Sequence, residues 1–142
     1  MNNSETRIVF PEMGRTDEYK NWLQRILDSG NCPFCQEHWP GEHPLPFETK
    51  KFWTVTENAV KSDKAIHHWL LICNRHISCA NELTDEEKLE LFQIYNELVS
   101  KHNLEYLSLV MRSGNPGTGS SVAHLHAQIF VSKKDEVNLT RV

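Results

Sequence analysis

Residues 119–132, Gly-Ser-Ser-Val-Ala-His-Leu-His-Ala-Gln-Ile-Phe-Val-Ser, constrain this chain more than any other stretch. β-Branched and aromatic residues run from Val122 to Val131 without a breaker, which predicts a strand. Successive side chains of a strand point to opposite faces. Ala123, Leu125, Ala127, Ile129 and Val131 therefore share one wholly apolar face, suited to a core. His124, His126 and Gln128 share the other, between Val122 and Phe130, as a row of polar groups roughly 6.5–7 Å apart. A half-exposed strand with its polar face in water would account for that row. The loop just before it, Ser113 to Ser121, holds three of the six glycines and points to chemistry instead.

Glycines let backbone N–H groups approach and turn toward an anion, and Ser120 and Ser121 add hydroxyl donors. A phosphate seated there would lie beside the polar row. A neutral imidazole attacks phosphorus when an acceptor holds its other ring nitrogen and so fixes the tautomer. His126 is in the middle of the row, where its neighbours can orient it and hold non-bridging oxygens. An ordinary tight turn into a strand carrying two histidines is the competing reading.

The second signal is Cys32-Pro33-Phe34-Cys35. A redox dithiol normally joins a strand to a helix N-terminus, which lowers a thiol pKa. Here the pair follows a helical pattern and enters a proline-rich loop, so a metal knuckle is the better reading. Zinc needs two further nitrogen or sulfur donors. His76 and His124 offer them, with His38, His43, Cys73 and Cys79 as rivals that spacing leaves open. Four cysteines in a chain without a leader-like segment favour metal ligands or free thiols over disulfides. The residues after Met1 are polar, with no apolar run of signal or membrane-spanning length, so a soluble, cytoplasmic protein is expected. A net charge of −4 without a basic stripe excludes a general nucleic-acid binder.

The remaining pattern predicts one α+β domain over residues 1–142, with an antiparallel sheet, one N-terminal helix and one long helix. An irregular lead-in runs through Arg15. Tyr19, Trp22, Leu23, Ile26 and Leu27 recur at helical spacing over Asp17 to Ser29, with Gly30 as the stop. Residues 31–48 read as the knuckle loop, Phe52 to Glu57 as a strand, Asn58 to Ala65 as a polar turn, and His67 to Cys73 as a strand. Thr84 and Glu87 form a capping box before a helix reaching about Lys101, with Leu91, Phe92, Tyr95, Leu98 and Val99 as its core stripe. Glu105 to Arg112 is a strand leading into the phosphate loop and catalytic strand of residues 113–132.

Ser121-Val122-Ala123-His124-Leu125-His126-Ala127-Gln128, with its glycine-rich loop, resembles the histidine-triad superfamily of nucleotidyl hydrolases and transferases. Glutamine in third place is similar to the branch containing galactose-1-phosphate uridylyltransferase and the dinucleoside tetraphosphate phosphorylases. Cys-Pro-Phe-Cys, the strand with Trp69-Leu70-Leu71-Ile72, then Arg75-His76-Ile77 and the capped helix extend the resemblance from Asn31 to Ser132. It implies that His126 is the nucleophile and that Gln128 contacts the transferring phosphate. It implies further that Gly119 and Ser121 hold phosphate oxygens, that Asn58 contacts the sugar, and that Cys32, Cys35, His76 and His124 bind a structural zinc. The chain departs from the family where an asparagine often stands in the loop. Ser113 occupies that position, with Asn115 displaced by two. The resemblance also implies the histidine-triad fold, an α+β architecture whose antiparallel sheet has about five strands, and a homodimer, which is usual in the family.

The expected activity is cleavage of the α-phosphoanhydride of a nucleotide through a nucleotidyl-histidine intermediate. A carboxamide has no useful pKa near neutrality, so Gln128 cannot protonate a departing amine. A phosphoanhydride is accordingly expected as substrate rather than a phosphoramidate. A catalytically silent nucleotide-binding module and a zinc-stabilised scaffold are the alternatives.

Overall fold

A computed structural model of the chain describes residues 7–14, 16–39, 46–58, 65–114, 118 and 120–133. Helix α1 spans Asp17–Ser29 as the apolar spacing predicts. Thr16 caps it by accepting from the Tyr19 N–H, and Gly30 ends it at φ 76°, a left-handed conformation that glycine adopts without steric cost. Strands β1 (Phe47–Thr49), β2 (Trp53–Glu57) and β3 (Ala65–Cys73) follow. Helix α2 covers Asp85–His102, with both hydrogen bonds of the Thr84/Glu87 capping box present and Asn103 ending it at φ 50°. Strands β4 (Ser108–Met111) and β5 (His126–Ser132) complete an antiparallel sheet in the order β1-β2-β3-β5-β4.

The alternation read from the sequence sorts this sheet into two faces. On one, Trp53, Trp69, Leu71, Cys73, Ala127, Ile129 and Val131 pack with Leu125 against Leu91, Ile94 and Leu98 of α2. Each such Leu or Ile contributes about 1.5–3 kcal/mol by leaving water. On the other, Leu70 and Ile72 meet Leu23 and Ile26 of α1, together with Val9, Cys32, Phe34 and Val122. β5 lies between β3 and β4, with His126 opposite Ile72 and Gln128 opposite both Leu70 and Val110. The polar row therefore emerges on the α1 side, near the centre of the sheet.

Several boundaries differ from the sequence expectation, each for a tertiary reason. The strand expected from Val122 begins at His126, because residues 121–123 bond to the N-terminal segment and the Leu125 N–H bonds beyond β3. Val9 bridges Val122, the Phe10 N–H donates to the Ser121 carbonyl at 2.7 Å, and the Leu125 N–H donates to the Ile77 carbonyl at 2.6 Å. His124 thus precedes the strand, and Ala123 is only half-buried and outside the α2-side core. The lead-in is no free tail: Val9 and Phe10 are each 1% exposed, and a short 3-10 turn covers Pro11–Met13. β1 occupies part of the expected knuckle loop, while β3 starts two residues early and β4 is shorter than Glu105 to Arg112. In α2, Ile94 is buried and Phe92 is 53% exposed, so the buried stripe is Leu91, Ile94 and Leu98. Most of the expected polar turn, residues 59–64, lies outside the described residues, as does His43.

Candidate functional site

The two cysteines of the knuckle meet two histidines from distant parts of the chain. α1 ends at Gly30, and the following turn carries Cys32 and Cys35 toward the end of β3. His76 follows that strand, and His124 sits on the approach to β5. The ligand atoms of Cys32, Cys35, His76 and His124 all lie within 4.8 Å of one another. His124 Nδ1 is 3.4 Å from Cys32 Sγ and 3.0 Å from His76 Nδ1, which is itself 3.2 Å from Cys35 Sγ. Tetrahedral zinc with bonds of about 2.0–2.3 Å to nitrogen and sulfur needs ligand separations of about 3.3–3.8 Å. The donor set therefore fits a closed, four-ligand zinc site.

The surroundings of His124 select the tautomer that a metal ligand needs. His124 Nε2–H donates to the Cys73 carbonyl at 2.6 Å, which leaves the Nδ1 lone pair directed at the cluster. Burial lowers the His124 pKa to about 4, against the opposing pull of that carbonyl. Burial likewise raises Cys32, and lifts Cys35 to about 12 with help from the charge of its neighbour Cys32. Two thiols this reluctant to ionise call for a cation before they become thiolates. The rivals left open by spacing are engaged elsewhere. His38 Nδ1 bonds the Cys32 carbonyl at 2.6 Å, Cys73 contacts Glu87, and Cys79 contacts Ser78.

His126 is the first residue of β5 and stands beside this cluster. Its Nδ1–H donates to the His124 carbonyl at 2.8 Å, so Nε2 keeps its lone pair. The ring retains some exposed surface but is densely surrounded, and burial lowers its pKa despite that hydrogen bond, aided by the positive charge of Arg112. The imidazole is thus neutral and oriented. Phe34, from within the knuckle, meets it edge-on with ring centroids 4.8 Å apart. The knuckle therefore supplies both candidate metal donors and an aromatic ring that packs against His126.

Gln128 projects from the same face, and its Oε1 lies 2.8 Å from His68 Nε2. Asn58 Nδ2 is 3.0 Å from that same nitrogen, so Asn58, His68 and Gln128 form one polar chain across β3 and β5. One ring nitrogen cannot accept from Asn58 and donate to Gln128 at once. With Nε2–H donating to Gln128 Oε1, the Gln128 NH2 is left to donate elsewhere. His68 is the residue that sequence reasoning missed. It alternates with Leu70 and Ile72, and only the β3–β5 register reveals that it shares a face with Gln128.

The loop serines differ from each other. Ser120 is 5% exposed and donates to the Val122 carbonyl at 3.1 Å, so its hydroxyl braces the turn. Ser121 is half-buried, and its Oγ lies 2.9 Å from the Tyr19 hydroxyl. Ser113 accepts from the Ala80 N–H at 2.7 Å, away from the row. Gly119 and Asn115 lie outside the described residues.

The family model described as "Scavenger mRNA decapping enzyme C-term binding" matches residues 31–140. The chain belongs to that family and to the histidine-triad superfamily. Solved histidine-triad structures share the fold. A HIT family hydrolase from Legionella pneumophila Philadelphia 1 is 25% identical, with a TM-score of 0.56 over 73% of this chain and 95% of that one. A zinc-bound histidine triad family protein from Mycobacterium smegmatis is 14% identical, with a TM-score of 0.60 over 80% of this chain and 84% of that one. The Plasmodium falciparum diadenosine triphosphate hydrolase, in complex with cyclomarin A, is 22% identical, with a TM-score of 0.55 over 68% of this chain and 64% of that one. No curated protein matches the chain in sequence. Among the described residues, no helix of this histidine-triad protein is long and apolar enough to cross a membrane.

Proposed function

We propose that this histidine-triad protein is a single-domain nucleotidyl hydrolase or transferase that cleaves the α-phosphoanhydride of a dinucleoside polyphosphate-like nucleotide. The observation that carries this reading is the 2.8 Å bond from His126 Nδ1–H to the His124 carbonyl, which leaves the Nε2 lone pair available for attack. Nε2 attacks the α-phosphorus, an N–P bond forms, and the P–O bond to the polyphosphate breaks with its electron pair leaving on oxygen. The ring's developing positive charge rests on Nδ1–H, against the His124 carbonyl. Water or a phosphate oxygen then attacks phosphorus, and the N–P electrons return to Nε2. When water is the acceptor, one of its protons stays on the new P–OH of the monophosphate and the other passes to solvent. Gln128 NH2 and the Ser121 hydroxyl are the donors for phosphate oxygens, together with the backbone of Gly119 and Ser120. Asn58 takes the sugar.

Zinc held by Cys32, Cys35, His76 and His124 would act as a structural cross-link between the knuckle and the approach to β5, since four protein ligands leave no position for water. Polyphosphate leaves without the proton that an amine requires, which favours the phosphoanhydride substrate given a carboxamide at residue 128. In the homodimer carried by this reading, β4 and α2 form the interface. Among the described residues β4 pairs with β5 alone, and Leu89 and Phe92 of α2 are 61% and 53% exposed. Turnover of diadenosine tri- and tetraphosphate, with and without inorganic phosphate, tests the proposal. Release of nucleoside monophosphate or diphosphate that vanishes in His126→Ala is expected, and equal release by that variant would refute it.

A further inference from the structure

We propose that the segment before residue 31, which the family model does not cover, is a working part of the nucleotide site, with Tyr19 of α1 positioning the Ser121 hydroxyl. This inference rests on the nucleotide reading of that site. Three contacts join the segment to the loop. The Phe10 N–H donates to the Ser121 carbonyl at 2.7 Å, the Ala123 N–H donates to the Ile8 carbonyl at 2.5 Å, and Val9 bridges Val122. These bonds are the ones that draw residues 121–123 out of the β5 ladder, so the N-terminal strap decides where the backbone of Ser121 stands. Tyr19 then fixes the side chain across 102 positions of sequence, with its hydroxyl 2.9 Å from Ser121 Oγ.

Tyr19 is itself well held. Its N–H donates to the Thr16 cap at 3.1 Å, and its ring stacks on Trp22 with centroids 5.7 Å apart at an interplanar angle of 15°. The direction of the hydroxyl pair follows from chemistry. A hydroxyl carries one hydrogen and two acceptor sites, and a phenol is the stronger acid, so Tyr19 donates and Ser121 accepts. Ser121 then has its own hydrogen left to donate to a phosphate oxygen, and a hydroxyl that accepts one hydrogen bond donates a stronger one. The neighbouring Ser120 cannot substitute, because its hydroxyl is bonded to the Val122 carbonyl. Tyr19 touches no reacting atom in this scheme. It prepares the donor that does.

A double-mutant cycle on the full chain tests the assignment, using wild type, Tyr19→Phe, Ser121→Ala and the double variant. Diadenosine tetraphosphate turnover and the affinities for AMP and adenosine are the readouts. Each single change is expected to lower kcat/KM by about tenfold, at the lower end of what a hydrogen bond to a charged group contributes. The double variant should lose no more than Ser121→Ala alone. Tyr19→Phe should weaken AMP while leaving adenosine unchanged, a selectivity that a packing defect would not produce. Additive losses, equal weakening of adenosine, or an unchanged Tyr19→Phe would overturn the proposal. A wild-type chain that bound AMP without turning over any nucleotide would refute the catalytic reading, and the AMP and adenosine affinities would still decide the Tyr19 assignment. A wild type that bound neither would sink both.

Discussion

Replacing Glu87 by Gln should separate the charge at the start of α2 from its shape. Glu87 is 1% exposed and receives two hydrogen bonds from Arg75, from Nε at 2.9 Å and from Nη2 at 2.8 Å. It also accepts from the Thr84 N–H at 2.8 Å, and its backbone carbonyl accepts from the Trp53 indole at 2.8 Å. The Arg75 guanidinium holds its carboxyl at about 2, well below the ordinary 4.5. A depression of that size corresponds to at most about 3.4 kcal/mol. Because the Arg75 side chain is 50% exposed and screened by solvent, about 2 kcal/mol is the better figure. Glutamine can keep the oxygen that accepts from Thr84, but it loses the charge and turns an NH2 toward Arg75 Nε–H, so one of the two Arg75 bonds goes with it. Urea unfolding at pH 7 should therefore show Glu87→Gln less stable by about 2 kcal/mol, with Tm lower by about 6–8 °C. A carboxyl whose pKa is lowered by folding stabilises above its unfolded value and loses that contribution as pH falls toward the folded one. The gap between the two proteins should thus be constant from pH 6 to 8 and about 60% smaller at pH 3.5. Arg75 adjoins His76, so the variant should also release zinc faster to a chelator. Equal stability at pH 7, or a gap that does not narrow in acid, would refute this account of the Arg75–Glu87 pair.

Other consequences are testable in the same way. Cys35→Ser should abolish stoichiometric zinc by metal analysis and lower Tm by roughly 10 °C, because the knuckle loses its cross-link. Leu125→Ala empties a side chain that is 1% exposed between His124 and His126, and should cost about 2–5 kcal/mol in urea unfolding. Gln128→His should speed cleavage of an adenosine phosphoramidate more than that of diadenosine tetraphosphate, by about 100-fold in ratio, since an imidazole restores an acid for the amine. Comparable gains on the two substrates would remove the reasoning about the leaving group.

Local signals were legible wherever one segment determines its own structure. α1 was readable to the residue because five apolar positions share one helical face and Gly30 provides the left-handed stop. The Thr84/Glu87 box announced α2 for the same reason. The knuckle and its two histidines were readable as donor types, but spacing could not choose His76 and His124 over His38, Cys73 or Cys79. That choice needs the turn after β3 to fold back against Cys35. Long-range pairing was hidden altogether. Nothing near Val122 shows that Val9 will bridge it, so the local pattern alone starts β5 four residues early. β1 is three residues long and exists through its pairing with β2, so its sequence carries no strand pattern of its own. Phe92 sits at a spacing compatible with either flank of the buried stripe, and only packing against the sheet assigns Ile94 to the core instead. The contributions of His68 and Tyr19 depend on register and on a helix docking 102 residues from its partner.

The central claim is that His126 Nε2 becomes covalently bonded to phosphorus, and trapping that bond tests it most directly. The protein would be mixed with diadenosine tetraphosphate, denatured within milliseconds under conditions that preserve N–P bonds, digested, and read by mass spectrometry. The account predicts an adenylyl group on the peptide carrying His126 and none in the His126→Ala protein. Wild-type turnover with no adduct at any time point, or an adduct on another residue, would contradict it.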